Sequence, residues 1–278
     1  MINRDINTKR LRISDVLLLI LLHSVLTILF FFTSTFIADN VLNNTSASVT
    51  VTLNSERDQS YKQHPITQLI SNDKNILTLL IVFICVVIAA PLIEEFLYRG
   101  ILTGWLADST TIYLPQLGFS NKMTKIISVI LSLGFPSLYF ACLHFTSTSE
   151  RSNELLFISI CAVTLSNLIS FVLGVFYLTK IRNFTLEQIG FQINRLRFDI
   201  LLSLAAAVLI IPPILILTGI LRSIFPTFVI DPLPLFFFAI VLGGIFLKTR
   251  RLLPCIFIHA ILNSTSFIIL ILAADGKN

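Results

Sequence analysis

Long apolar runs separated by short polar connections make up most of the chain. A helix that crosses a bilayer needs about 20 mostly apolar residues, because every backbone N–H and C=O must be paired within the segment. Seven stretches meet that condition, at 13–38, 76–105, 124–146, 154–179, 199–223, 233–248 and 252–273. They predict an all-α fold, a polytopic transmembrane helical bundle of about seven spans. The second stretch is long enough to protrude or tilt. Residues 39–74, rich in Ser, Thr and Asn, are the one long polar excursion and are expected to form an external loop, in which Asn43 and Asn44 open N-x-[ST] sequons. Residues 180–199 interleave basic and apolar positions and are expected to lie along the membrane surface.

Composition agrees with the pattern. Of the 278 residues, 55% are hydrophobic and 13% charged, and the mean hydropathy is +0.89; a soluble domain carries roughly 25% charge. The surplus of basic residues reads as a topology signal, not as a nucleic-acid surface, and the expected surroundings are membrane lipid. With the N-terminus in the cytosol, 13 Lys and Arg fall on the cytosolic side, 6 on the other, and Arg99 alone inside a span. The expected topology is therefore N-in and C-out, in the plasma or inner membrane if the source is bacterial. Residues 1–12 are read as a cytosolic N-terminus and 13–38 as a retained signal anchor, too long for a cleaved leader. Cys85, Cys142, Cys161 and Cys255 lie in apolar runs without a metal-ligand spacing and are expected in the core.

Charges inside a bilayer are costly, about 2.5–3.5 kcal/mol for a carboxylate at its centre, and are kept for a partner or for chemistry. The second span carries Glu94, Glu95 and Arg99. Arg99 follows Glu95 by one helical turn on the same face, so the two are expected to pair, while Glu94 is rotated by about 100° and is left for a partner on another helix. A solvated helix end with ordinary salt bridges is the plain alternative; Leu102 and Trp105 continue the apolar pattern past Arg99 and favour the functional reading. His144 ends the third span, and His259 and Asn263 share one face of the seventh. His23 and His64 lack such company and are read as structural or incidental.

The ordered set Glu94-Glu95-x-x-x-Arg99, Phe140-x-x-x-His144 and His259-x-x-x-Asn263, on three separate spans, resembles the CAAX protease and bacteriocin-processing family of intramembrane endopeptidases, also called the Abi family. The flanking stretches Ala90 to Trp105 and Asp231 to Phe267 are similar as well, so that the resemblance covers about half the chain. Many members have a shorter connection between the two histidine motifs; here residues 147–230 add a two-span block, either an insertion or a rearrangement, between the helices of 75–146 and those of 231–278. That block is expected to pack beside the site without supplying catalytic groups.

The chemistry follows from the residue types. Peptide hydrolysis needs an activated water, which a buried carboxylate beside an imidazole provides; Glu94 and His144 are the expected pair. His259 and Asn263 are the expected donors to the oxyanion, and the Glu95–Arg99 pair the expected support of Glu94, an assignment that the resemblance also implies. The substrate is then a protein or peptide at the membrane, with no cofactor. A zinc peptidase is the enzymatic rival, weakened by the lack of HExxH and by an asparagine at the i+4 position from His259. A catalytically silent scaffold or immunity protein of the same family, and a proton-relaying transporter, are the rivals of other classes. By depth, Glu94 and His259 fall in the cytosolic half of their spans and His144 near the external end of its own, so a tilted or incompletely crossing third span, loosened at Pro136, is expected to bring it to them.

Overall fold

The computed structural model describes residues 9–45, 75–144, 153–224 and 232–275. The loop expected at 39–74, beyond the helical residues 39–45, lies outside them, as does His64; of the side chains of Asn43, Asn44 and Glu154 nothing is described. The chain forms α1 (Ile13–Thr45), a continuous rod α2 (Ile76–Gln116), α3 (Asn121–Leu143), α4 (Asn153–Phe176, extended by a π turn Tyr177–Ile181), a short α5 (Leu186–Ile189), a 3₁₀ turn (Ile193–Arg195), α6 (Leu196–Ile224), α7 (Pro232–Thr249) and α8 (Leu252–Asp275). Seven of these helices are long and apolar enough to cross a membrane, and no strand occurs among the described residues. The protein is a multi-pass, all-α membrane bundle.

Its outer surface is apolar, as lipid requires: Leu17, Leu21, Val25, Ile28 and Phe32 point outward along α1. Small polar residues lie between helices instead, and Ser132, Ser170 and Ser203 each return their hydroxyl to the carbonyl four residues back, which keeps them satisfied without water. At Gly243 of α7 an added Cβ would come within 2.8 Å of the Leu133 side chain, so α7 and α3 approach as closely as a glycine permits.

The second span runs further than its apolar pattern suggests. It continues to Gln116, 41 residues in all. The chain then reverses at Gly118, whose φ of +84° favours glycine, and Ser120 caps α3 by accepting from the Met123 N–H. Across this hairpin Thr110 donates to the Ser128 hydroxyl at 2.7 Å. Glu94 lies 24 residues before Gly118 and His144 26 after it, so two antiparallel helices bring them to one level. His144 ends its helix, as expected; what brings it beside Glu94 is the continuation of α2 to Gln116 before the chain reverses.

The connection 182–195 does not simply lie along the surface. Thr185 and Gln188 form a reciprocal capping box around α5, and Phe184 and Ile189 are buried in the core of the bundle. Phe191 stacks on Phe96 with centroids 6.3 Å apart and meets Phe171 edge-on at 6.0 Å. Phe184, Ile189 and Phe191 are thus turned into the bundle end, while Ile181, Leu186 and Ile193 stay exposed. At the same end α1 is tied to α4, where the buried Asp15 accepts from Tyr177 Oη at 2.7 Å and Arg182 Nε at 3.2 Å.

Candidate functional site

The glutamates lie on a short α-helical stretch of α2, Ala90–Glu95, between two π turns, Ile84–Ala89 and Phe96–Thr103. π turns widen the helix and redirect its side chains, and they recur at functional sites. The first creates a need that α8 fills. In the widened pattern the Ala90 N–H bonds the Cys85 carbonyl, five residues back, so the Val86 carbonyl should receive the N–H of residue 91. Residue 91 is proline and has none. Asn263 supplies the missing donor, its Nδ2 lying 2.9 Å from Val86 O.

One turn along α8, His259 reaches Glu95. Its Nδ1 is 2.8 Å from Glu95 Oε1, and the same oxygen faces Arg99 Nη1 at 2.9 Å. This is the ion pair expected from the i,i+4 spacing, close but not aligned as a hydrogen bond, since Arg99 Nη1 and Glu95 Oε2 have no hydrogen-bond partner among the described residues. Both side chains are buried. Arg99 also donates to the Ala239 carbonyl of α7 at 3.5 Å and lies 5.0 Å above the Phe140 ring. Because Glu95 Oε1 is a carboxylate acceptor, His259 donates through Nδ1 and turns Nε2 toward Glu94, 3.7 Å from Oε2.

His144 arrives from the opposite side. It caps the C-terminal end of α3, and its Nδ1 lies 2.8 Å from the Phe140 carbonyl. A carbonyl only accepts, so Nδ1 carries the proton, and the neutral ring presents a lone pair at Nε2, 4.0 Å from Glu94 Oε1. Glu94 therefore stands between two imidazoles, one on each carboxylate oxygen. Neither separation is a hydrogen bond; both are of the size that a water bridges. Glu94 and His144 are also the two accessible members, with 20% and 35% of their side chains exposed.

The structure thus gathers Glu94, Glu95, Arg99, His144 and His259 in one cluster and ties Asn263 to the preceding turns of α2. His23 stands apart, in a crevice with Tyr98 and Tyr139. Cys85 and Cys255 are buried, Cys161 is intermediate, and Cys142 is exposed, which corrects the expectation of a core position for it; on a lipid-facing helix an apolar residue need not be interior. Sequence reasoning missed Phe238, which packs edge-on against His259 at 5.4 Å, and the backbone acceptors Val86 O and Ala239 O. Only Pro91 signalled the first of these. Among the described residues no three His, Cys, Asp or Glu side chains are arranged to hold a metal ion.

A family model described as type II CAAX prenyl endopeptidase Rce1-like matches residues 76–186 and 181–265, well over half of the chain. The chain belongs to the Rce1-like family. Glu94, Glu95, Arg99 and His144 fall in the first matched stretch and His259 and Asn263 in the second, and the two stretches meet in the connection that tucks under the bundle. No curated protein and no solved structure matches the chain. At family level the protein is a CAAX-type membrane protease.

Proposed function

We propose that the protein is an intramembrane endopeptidase that cleaves a membrane-associated or prenylated protein or peptide with a water activated by Glu94 and His144. The observation that carries this reading is the pair of acceptors, Glu94 Oε1 and His144 Nε2, 4.0 Å apart. A water between them donates one proton to each and turns a lone pair toward the incoming carbonyl. On attack the carboxylate or the imidazole takes the water proton, the C–O bond forms and the carbonyl π electrons move to the oxygen; when the C–N bond breaks, the same proton goes to the leaving amine. The second N–H of Asn263 supports the oxyanion; His259, expected as the other donor, gives its Nδ1–H to Glu95 and faces the Glu94 carboxylate from the other side through Nε2. Glu95 and Arg99 hold His259 and the helix that carries Glu94.

The test is cleavage of a farnesylated CAAX-box peptide by the purified protein in liposomes. Glu94→Gln and His144→Ala are expected to lose ~10²–10⁴-fold in turnover, the range of general acid–base catalysis, while remaining folded. Wild-type cleavage by Glu94→Gln would overturn the mechanism, and absence of cleavage by the wild-type protein would shift the weight to a silent scaffold. We place the N-terminus in the cytosol on the 13-to-6 division of basic residues; maleimide labelling of Lys248→Cys and Arg57→Cys from the same side of the membrane would refute that.

A further inference from the structure

Arg251 immediately precedes α8, eight residues before His259. Its sequence context gives it a topology role, yet it is buried, with 4% exposure. A cation at a helix N-terminus opposes the helix dipole, so capping does not explain it either. Every N–H of its guanidinium is used. Nε donates to Asp199 Oδ1 and Nη2 to Asp199 Oδ2, both at 2.6 Å. Nη2 also donates to the Gln192 carbonyl at 2.6 Å, and Nη1 to Gln192 Oε1 at 2.6 Å and Asn194 Oδ1 at 3.5 Å.

The same loop is fastened to both helices of the candidate site. The Leu252 N–H, in the first turn of α8, donates to Gly190 O at 2.9 Å; Gly190 has φ +107°, and a Cβ there would lie 2.9 Å from the Leu252 side chain. Ser203 of α6 donates to the Pro254 carbonyl at 3.3 Å. Phe191, between Gly190 and Gln192, stacks on Phe96, the residue after Glu95. The loop 190–194 therefore spans from the start of α8 to α2 at the level of the glutamates, and the His259 Nε2–Glu94 Oε2 separation depends on how those two helices stand to each other.

We propose that Arg251 is a positioning residue: held by Asp199, Gln192 and Asn194, it fixes the height and rotation of α8 against α2 and so the placement of His259 beside Glu94. The block 147–230 then contributes to the site through this clasp, without a group of its own at the reacting atoms. The part of the inference that concerns turnover rests on the peptidase reading; the placement of His259 does not.

The experiment compares wild type, Arg251→Lys and Gln192→Ala in nanodiscs by two readouts. One is the ¹⁵N imidazole spectrum of histidine-labelled protein, the His259 signal being assigned by its loss in His259→Gln. The other is kcat and KM on the farnesylated CAAX-box peptide. The expected result is a displaced His259 signal in both variants and a kcat lower by roughly 10- to 100-fold with KM changed by less than about 2-fold, because a misplacement near 1 Å acts on the transition state. Unchanged His259 resonances in folded variants would overturn the proposal whatever the activity. If the wild type cleaves nothing, the peptidase reading fails while the His259 signal still decides the positioning. If Arg251→Lys does not fold, Gln192→Ala decides, since it leaves the Asp199 pair in place.

Discussion

The polar clusters around Arg251 and around Glu94 are built in opposite ways. Around Arg251 every donor has an acceptor, four of the contacts are 2.6 Å long, and Arg251 and Asp199 are buried. Around Glu94 two imidazoles face the carboxylate at 3.7 and 4.0 Å, too far for direct hydrogen bonds, and two of the three groups remain accessible. A saturated network is a fastening: it has no capacity left for a ligand. Acceptors that converge without donors are the opposite, a site prepared for something that brings protons, and water is the smallest such guest. Glu95 joins the two kinds, since one of its oxygens holds Arg99 and His259 while the other has no hydrogen-bond partner among the described residues.

That contrast is broken most directly by removing one group from each cluster. Glu94→Gln keeps the shape of the side chain and is expected to lower turnover by ~10²–10⁴-fold with unfolding temperature and yield unchanged. Asp199→Asn is expected to do the reverse, leaving a buried guanidinium short of its counter-charge and reducing folded yield by an amount that corresponds to roughly 3–5 kcal/mol. Thermal unfolding in detergent, measured beside peptide cleavage, checks both; equal losses of stability in the two variants would erase the distinction.

Arg99→Ala tests the junction. It removes the cation from Glu95, a fully buried carboxylate, and the loss is expected at a similar ~3–5 kcal/mol of stability, partly offset where His259 remains bound to Glu95. Folded yield of the variant, compared with that of Arg99→Lys, reads the effect. Full recovery in Arg99→Ala itself would show that Glu95 is not held as a buried charge.

Asn263→Ala comes next in size. It strands the Val86 carbonyl left by Pro91, at about 1–3 kcal/mol for an unsatisfied buried group, and removes one oxyanion donor. Pro91→Ala separates the two effects, because it restores a backbone N–H for Val86: the double variant is expected to regain stability but not turnover. If it regains both, Asn263 serves only to complete the helix.

How much of this was visible in the sequence differs between the two clusters for a physical reason. Membrane spans announce themselves, since lipid forces long apolar runs, and seven such runs became seven membrane-capable helices. Glu94, Glu95, Arg99 and His259 stood out because a charge or imidazole within an apolar run is costly unless used. Arg251 did not, because a basic residue at a span end is what topology alone produces, and only the fold shows that it is turned inward. The π turns were equally hidden. The first, Ile84–Ala89, leaves the Val86 carbonyl facing a proline and relies on Asn263, 172 residues after Pro91, and no local pattern joins such distant partners. His144 was legible as the end of its span but not in its level relative to Glu94, which the continuation of α2 to Gln116 decides.

The smallest effect is expected from metal removal, and it sharpens the comparison at the chemical level. Both histidines donate Nδ1–H to an oxygen, Phe140 O for His144 and Glu95 Oε1 for His259, and this is also how zinc-bound imidazoles are held from behind. The geometry in front of them argues for water. Zinc binds nitrogen and oxygen at about 2.0–2.1 Å, which sets neighbouring tetrahedral ligand atoms about 3.3 Å apart. Here the imidazole–carboxylate separations are 3.7 and 4.0 Å, and each imidazole addresses a different oxygen of Glu94. Two acceptors about 4 Å apart match a water that donates one proton to each, as the proposed mechanism requires. Prolonged dialysis against 1,10-phenanthroline, followed by assay in metal-free buffer, is therefore expected to leave cleavage of the farnesylated peptide within about 2-fold of its starting rate. Loss of cleavage with recovery on adding Zn²⁺ alone would make Glu94, His144 and His259 ligands, and the loosely spaced cluster would then be an empty coordination site in place of a seat for water.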